Sequence, residues 1–364
     1  MKIFIDIGHP AHVHYFRNFI SIMKSKGHQF LITARDKEVA HNLLRAHNLA
    51  FINRGQGKNR LIDKFLYIFQ ADCLLFNHAK IFKPDLFLSF ASPYAAHVSK
   101  LIRKPHITFD DTEHARLSHS LYGPFTDAIL SPSCFYAPPF SKKQIFFNSY
   151  MEMCYLHPKY FTPSDQIFDC LGISKKQKFV ILRFVSWNAN HDIGQYGLSS
   201  KTKRQLVAEL GQYAKIFISS EAPLPPDLEP YRLRIKPEKL HDVLSHASLY
   251  IGEGSTTASE CSVLGTPNFY INSLKVGYCS EQEEKYKLCY NFRTDDKLVE
   301  KAIHLLTNED MRLNLKENHK KMLSDKINPT AFMVWFVGNY PESLRIMKEN
   351  PDYQYRFKHE NFEH

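Results

Sequence analysis

Three histidines stand close together directly after the first apolar segment of the chain. His9, His12 and His14 follow the run Lys2 to Ile7 and Gly8, and they open a segment of helical periodicity. Imidazole titrates near neutral pH, so a histidine at this place could exchange a proton with a substrate. Two other interpretations stay open. The histidines could cap the helix or bond to the backbone, or they could form a metal site, although no carboxylate or cysteine at ligand spacing accompanies them.

A segment rich in glycine and hydroxyl side chains follows a second apolar run, Leu249 to Ile251, and opens another helix. Small residues let the backbone approach a ligand closely, and the N-terminus of a helix attracts anions. The diphosphate-binding residues that we predict are Gly254, Ser255, Thr256 and Thr257. Glu260 lies one helical turn after Thr256, where its carboxylate could accept hydrogen bonds from ribose hydroxyls. The alternative is an ordinary turn in which Ser255 caps the helix and Glu260 is a solvated surface residue.

Two further polar clusters follow predicted strands. Asp111 and Glu113 lie in an acidic segment after the strand at 106–109, and we predict that they act as acid or base or bind an acceptor. Structural salt bridges to nearby arginines and lysines are the alternative. Arg183 ends a strand in the second half, and its guanidinium could pair with a diphosphate. The pair at 191–192, a histidine and an aspartate, is either catalytic or a helix cap.

The elements that must position these residues form an α/β pattern. Short apolar runs alternate with segments of helical period in both halves, which predicts two Rossmann-like, doubly wound domains with an inter-domain cleft. We place the first domain at 1–165, the second at 175–330, and a helical tail at 331–364 that packs back on the first domain. The stretch from about 132 to 178, rich in proline and aromatic residues, is interpreted as the region between the domains.

Bulk properties exclude several classes of protein. The chain has 364 residues, 44% of them hydrophobic and 23% charged, which is ordinary for a folded protein. Seven cysteines without a Cys-x-x-Cys pair argue against a disulfide framework. The start does not resemble a signal peptide, and no apolar run is long enough to span a bilayer, so we expect a cytoplasmic protein.

The net charge of +10 implies attraction to anions. Phosphorylated substrates, nucleic acid and anionic lipid all satisfy this charge. No helix-turn-helix, zinc-finger or aromatic RNA-binding motif supports nucleic acid. Basic and aromatic stretches at 58–69 and 135–150 leave a peripheral contact with the inner face of a membrane open.

Two segments resemble known families. The stretch 234–267 resembles the nucleotide-sugar-binding half of GT-B glycosyltransferases and of non-hydrolysing UDP-N-acetylglucosamine 2-epimerases. The opening, Asp6 to His14, is similar to a family of unknown function numbered 354, which is suspected of GT-B architecture. Its Ala11-His12-Val13 resembles the Gly-His-Val of the glycosyltransferase that builds the lipid-linked peptidoglycan disaccharide. This resemblance implies GT-B architecture, with His12 as the general base, His14 as the second choice and Gly8 beside the diphosphate.

The resemblance also guides the choice between transfer and epimerisation. The epimerases carry a strand-end aspartate where this chain has the segment Leu88 to Pro93, and a His-Arg pair where it has Arg183 alone, while Asp111 or Glu113 matches a catalytic glutamate. We therefore expect a hexosyl- or N-acetylhexosaminyltransferase that moves a sugar from a UDP-linked donor to a cell-envelope or polysaccharide acceptor. Glu253 and Glu260 lack the spacing of retaining enzymes, which favours inversion. No Asp-x-Asp motif is present, so we expect no metal and no cofactor.

Overall fold

The computed structural model describes residues 1–37, 39–57, 61–185 and 197–358. It divides into two compact units, Met1–Tyr155 with Lys326–His364, and Leu156–Asp325. The predicted boundaries at 165 and 330 are corrected by this division. Residues 156–165 belong to the second unit, where the amide of Ser164 donates to Asp242 at 3.0 Å. Residues 326–330 belong to the first unit, where the amide of Ile327 donates to the carbonyl of Asn148 at 3.0 Å.

The described residues form parallel strands that alternate with helices. The strands are β1 (Lys2–Ile7), β2 (Gln29–Ala34), β3 (Ile52–Asn53), β4 (Leu86–Phe90), β5 (His106–Phe109), β6 (Ala128–Pro132), β7 (Gln144–Phe147), β8 (Phe179–Phe184), β9 (Lys215–Ser220), β10 (Leu249–Gly252), β11 (Asn268–Ile271) and β12 (Cys289–Phe292). The α-helices are α1 (Pro10–Ser25), α2 (Ala40–Ala46), α3 (Leu61–Phe82), α4 (Pro93–Leu101), α5 (Arg116–Tyr122), α6 (Met153–Leu156), α7 (Ile167–Leu171), α8 (Ser200–Leu210), α9 (Leu240–His246), α10 (Ser255–Leu264), α11 (Gly277–Glu284), α12 (Leu298–Thr307), α13 (Glu309–Asp325), α14 (Pro329–Gly338) and α15 (Glu342–Glu349). None of these helices is long and apolar enough to cross a membrane.

The first unit is built on a seven-stranded parallel sheet with the order β3-β2-β1-β4-β5-β6-β7. Its central strands are apolar along their length because helices cover both faces. β7 lies inside the stretch 132–178 that we interpreted as a region between domains, so that interpretation is wrong for this part. The strand Gln144–Phe147 pairs with β6 and completes the sheet edge. Its four residues are too few to stand out among the surrounding aromatic and proline residues.

The second unit is built on a five-stranded parallel sheet with the order β12-β11-β10-β8-β9. The strand order reverses beside β8, just as it reverses beside β1 in the first unit. Both units are therefore doubly wound, and the predicted fold class of two Rossmann-like domains is confirmed. In such sheets the carboxyl ends of the strands on either side of the reversal are the usual place for ligands. In the first unit these ends carry Gly8 and Ser89, and in the second unit Arg183 and Glu253.

Candidate functional site

The N-terminus of α10 in the second unit has a glycine that the fold does not require. Gly254 precedes the helix with φ −94° and ψ 120°, which any residue can adopt. Among the described residues, a Cβ built on Gly254 would meet only the Cγ1 of Val185, at an ordinary 3.5 Å. At Gly252, by contrast, a Cβ would collide with the ring and hydroxyl of Tyr250. Packing therefore explains the glycine at 252, whereas the glycine at 254 leaves space at a helix end.

The three hydroxyl residues of α10 do not all lie on the same side. Ser255 and Thr256 are partly exposed, whereas Thr257 is buried. The hydroxyl of Tyr278 donates to the Oγ of Ser255 at 2.8 Å. The expectation of three hydroxyls at the helix end is corrected to two, because the third residue turns into the core. Tyr278 was missed by sequence reasoning, since it lies on α11 and only the fold brings it to Ser255.

Glu260 is buried and has a partner that the sequence did not suggest. Its Oε1 lies 2.9 Å from the Nε2 of His241, which is also buried and belongs to α9. The alternative of a solvated surface residue is therefore wrong. His241 lies in the stretch that resembles nucleotide-sugar-binding domains, but nothing in its spacing pairs it with Glu260.

Arg183, at the end of β8, is held by two neighbours on β9 and just beyond it. Its guanidinium donates to Ser219 at 2.9 Å and to Glu221 at 3.1 Å. A diphosphate that bound Arg183 would have to compete with the Glu221 carboxylate, which is the anion that neutralises this guanidinium here.

Glu253 is a buried carboxylate that holds two backbone segments by hydrogen bonds. It accepts hydrogen bonds from the amides of Val185 and Leu198 at 2.9 Å and 2.8 Å. The predicted pair at 191–192 lies outside the described residues. Two charge-assisted bonds to the backbone explain an acid at position 253, beside a helix N-terminus.

The N-terminus of α1 in the first unit repeats the arrangement found at α10. A Cβ on Gly8 would meet His12 at 3.7 Å and Arg54 at 3.9 Å, which are ordinary contacts. His9 caps the helix, because its Nδ1 accepts from the amide of Ala11 at 3.2 Å. The capping alternative therefore holds for His9, and here too a glycine that the fold does not require leaves space at a helix end.

His12 is neutral and its tautomer is set by the backbone. Burial lowers its pKa well below the ordinary value, and the nearby charges of His9, Lys37 and Arg54 lower it further. Its Nδ1 accepts from the amide of Gly8 at 3.3 Å. A neutral imidazole whose Nδ1 accepts carries its proton on Nε2, so Nε2 is a donor in this state.

His14 lies away from this helix end. It is buried, and its ring stacks on Tyr155 with 5.0 Å between the ring centroids. His14 is the second choice for the general base that the resemblance implies. Two residues along a helix turn a side chain by about 200°, which places the two rings on different faces.

A buried ion pair beneath this helix end was missed by sequence reasoning. Asp6 of β1 and the Nε of Arg54 are 2.9 Å apart, and both side chains are buried. Asp6 also accepts from the hydroxyls of Thr33 and Ser92, and Arg54 lies 4.3 Å from the ring of Tyr94. The only signal in the sequence was an aspartate inside an apolar strand.

In the acidic segment after β5, the carboxyl group of Asp111 has a raised pKa. Burial raises the pKa of Asp111 well above its ordinary value, and the carboxylates of Glu152, Asp110 and Glu113 raise it further. Asp110 is bonded to the hydroxyl of Tyr122 and lies 3.0 Å from the imidazole of His119. Asp111 therefore keeps its proton to higher pH than an exposed aspartate and could donate it.

Ser89, near the end of β4, lies among buried polar side chains. Its Oγ lies 2.9 Å from the Nε2 of His106 and 3.2 Å from the Oγ1 of Thr108. Burial lowers the pKa of His106 to about 3. The carboxyl end of β4 therefore supplies hydroxyl groups, and the acid beside it is Asp6 of β1, which pairs in register with Ser89 and accepts from Ser92.

The pKa of His106 predicts a pH dependence of stability. In the unfolded chain His106 takes up a proton near pH 6.5, whereas in the fold it stays neutral down to about pH 3. Its contribution is complete above pH 6.5 and is lost as the pH falls, by about 1.4 kcal/mol per pH unit. We expect His106→Gln to flatten the fall of the unfolding free energy between pH 6 and 4 by about that slope in urea titrations. The same change at the exposed His304 should leave the slope unchanged.

Among the described residues, no group of three His, Cys, Asp or Glu side chains is arranged to hold a metal ion. The metal-site interpretation of the first histidines therefore has no support from the described residues.

The comparison with protein families decides the affiliation of the chain. The model of a family described as protein of unknown function (DUF354) matches residues 1–342. The chain belongs to the DUF354 family. This DUF354 protein is also 24% identical over 282 residues to an uncharacterised protein of Methanocaldococcus jannaschii, which covers 73% of this chain and 80% of the relative.

The solved structures that are similar to this DUF354 protein include glycosyltransferases and UDP-GlcNAc 2-epimerases. The S. aureus MnaA–UDP co-structure has a TM-score of 0.65 at 11% identity and covers 100% of both chains. The UDP-GlcNAc 2-epimerase of Neisseria meningitidis bound to UDP-GlcNAc has a TM-score of 0.65 at 14% identity, with 96% of this chain and 99% of that chain covered. The spinosyn rhamnosyltransferase SpnG has a TM-score of 0.60 at 13% identity, with 93% and 100% covered. This DUF354 protein thus has the fold of GT-B glycosyltransferases and UDP-GlcNAc 2-epimerases.

Proposed function

We propose that the protein is a glycosyltransferase that moves a sugar from a UDP-linked donor to a hydroxyl of a cell-envelope or polysaccharide acceptor, with inversion at the anomeric carbon. The N-terminus of α10 in the second unit binds the diphosphate, through its free N–H groups and the hydroxyls of Ser255 and Thr256. Glu260, held by His241, binds the ribose. The helix dipole and Arg183 stabilise the leaving diphosphate, so the reaction needs no bound cation.

The observation that carries this proposal is the glycine at 254. Gly254 has an unstrained backbone and, against the residues that the structure describes, room for a Cβ, so neither its conformation nor its packing against them accounts for the glycine. It precedes a helix N-terminus at the carboxyl edge of a doubly wound sheet, the usual place for a nucleotide phosphate. Close approach of a ligand to the backbone is a physical reason for a residue without a side chain there. Gly8 repeats this combination in the first unit, where we propose that the acceptor binds.

Gly254→Ala tests the proposal without disturbing the fold. We expect the affinity for UDP, measured by calorimetry, to fall at least tenfold, because the added methyl group lies where the diphosphate approaches the helix end. The melting temperature without ligand should stay within about 2 °C, because the Cβ makes only an ordinary contact.

Gly338→Ala is a matched control, because a Cβ there has nothing within 4 Å and the residue lies in the first unit. It should leave UDP affinity unchanged. If the unchanged protein binds no nucleoside diphosphate, or if Gly254→Ala binds UDP as tightly as the parent, the proposal fails.

A 2-epimerase is the second function that a specific observation supports. Asp111 keeps its proton to raised pH and lies beside Glu113 and Glu152, which is acid/base chemistry that an epimerase could use. The segment Leu88 to Pro93 weighs against it, because it has no acid at the strand end where the resemblance to the epimerases leads one to expect an aspartate. Mass spectrometry of UDP-N-acetylglucosamine incubated without acceptor separates the two functions. A transferase should leave the sugar's configuration unchanged, whereas formation of the manno isomer would establish the epimerase.

A further inference from the structure

Two helices of the first unit end side by side at the amino edge of its sheet. α3 ends at Phe82, and α4 is followed by Ile102; both of these side chains pack against the same buried cluster. The segments that follow these two helices are hydrogen-bonded to each other, because the amide of Phe87 donates to the carbonyl of Pro105 at 2.8 Å. We call the surface formed here the α3–α4 end surface, and its exposed side chains are those of Ile81, Lys83, Lys100, Leu101, Arg103 and Lys104.

Large apolar side chains stand out from this surface. Ile81 is 80% exposed and Leu101 is 67% exposed. Exposed apolar side chains grouped in this way and rimmed by polar residues mark a contact with a partner or a membrane.

Four exposed cations lie around Ile81 and Leu101, with Asp85 as an exposed acid beside them. Among the described residues, no carboxylate forms an ion pair with Lys83, Lys100, Arg103 or Lys104, all of which are exposed. The neighbouring acid, Asp85, accepts from the amide of Lys2 at 2.8 Å. Lys83 and Arg103 have φ values of 53° and 57°, in the left-handed region where glycine or asparagine is usual. Basic side chains therefore occupy two positions whose backbone favours other residues.

We propose that the α3–α4 end surface binds the surface of an anionic lipid bilayer. Anionic lipid headgroups attract the four cations, while Ile81 and Leu101 enter the boundary between headgroups and acyl chains. The aliphatic side chains favour lipid over nucleic acid, because single-stranded nucleic acid is bound by aromatic platforms and duplexes by polar contacts. This inference does not depend on the proposed glycosyl transfer.

The charge contribution can be tested without backbone strain. Lys83→Asn/Arg103→Asn removes two charges and introduces a residue that tolerates the left-handed conformation. In co-sedimentation of the full chain with phosphatidylcholine vesicles containing 30% phosphatidylglycerol, we expect partitioning to fall about 30-fold, since each cation near an anionic membrane contributes about fivefold. Lys287→Asn/Lys297→Asn is the matched control, because both lysines also have positive φ and lie exposed in the second unit. It removes the same net charge and should leave partitioning unchanged.

The apolar contribution has its own pair of variants. Ile81→Ser/Leu101→Ser should lower partitioning at least tenfold, because the inserted side chains are lost. Leu313→Ser, at a leucine 60% exposed on α13, should leave it unchanged. Circular dichroism and the melting temperature show whether each variant is folded.

Three results would overturn the inference. The first is equal partitioning of the parent protein into vesicles with and without phosphatidylglycerol, and the second is an equal loss in the α3–α4 variants and their controls. The third is tight binding of a DNA duplex that Lys83→Asn/Arg103→Asn removes and Ile81→Ser/Leu101→Ser does not, because that pattern would assign the surface to nucleic acid.

Discussion

Asp6→Asn should lower the free energy of unfolding by about 3–5 kcal/mol, the usual result of leaving one partner of a buried ion pair without the other. Asp6 and Arg54 are both buried, and the Nε of Arg54 lies 2.9 Å from Asp6. Asparagine keeps the shape and can still accept from Thr33 or Ser92, but it no longer neutralises the guanidinium. Urea denaturation monitored by circular dichroism measures the change.

The double variant Asp6→Asn/Arg54→Met separates the charge effect from a packing effect. Methionine fills the space of the guanidinium stem between Tyr67 and Tyr94 without a charge. We expect the double variant to recover most of the stability that Asp6→Asn loses. Glu342→Gln, which breaks an exposed pair with Arg345, should lower the free energy of unfolding far less than Asp6→Asn does. An Asp6→Asn protein as stable as the parent would show that the buried pair contributes little.

His12→Ala should lower the turnover number of the proposed glycosyl transfer by about 10²–10⁴, with UDP affinity unchanged. The imidazole is neutral, and its Nδ1 accepts from the amide of Gly8, so Nε2 carries the proton. In this tautomer Nε2 can donate a hydrogen bond to an acceptor oxygen or a phosphate. The role of general base, which the resemblance implies, would require the other tautomer, in which Nδ1–H opposes the Gly8 N–H.

His12→Gln distinguishes the two roles. The glutamine amide can replace the Nε2–H donor but cannot act as a base at neutral pH. If His12 donates, we expect His12→Gln to keep a turnover number within about tenfold of the parent while His12→Ala loses far more. If His12 is the base, both variants should fail equally. His28→Gln is the control, because its ring bonds to the N-terminal amine at 3.1 Å. UDP release from UDP-sugars supplied with glycan acceptors is the readout.

The turns at Gly8 and at Gly252–Gly254 show which features of the site could be predicted from the sequence. The pattern of a strand, a turn of small residues and a helix was sufficient to predict both helix ends, because strand and helix periodicities are local properties. It could not show that Gly252 is required by Tyr250 whereas Gly254 is not. That distinction depends on where the side chain of Tyr250, two residues before Gly252 on the same strand, lies in three dimensions.

Pairs of residues distant in sequence were outside the reach of the pattern. His241 meets Glu260, Tyr278 meets Ser255, and Arg54 meets Asp6, each across a different pair of elements. Such pairs are formed when parallel strands and their helices are placed side by side, and a single sequence does not record that placement. The short strand β7 was missed for a related reason. Its four residues form a strand only because they pair with β6, which lies elsewhere in the sequence.

The sequence by itself determined the alternation of strands and helices and the helix ends at Gly8 and Gly254. All of these follow from interactions between residues near one another along the chain. Only the tertiary structure decided that the pKa of His12 is lowered while its Nδ1 accepts from Gly8, that Thr257 turns into the core, and that the pKa of Asp111 is raised. Protonation and burial depend on the solvent and charges that the surrounding elements exclude or supply, so they are properties of the packed chain.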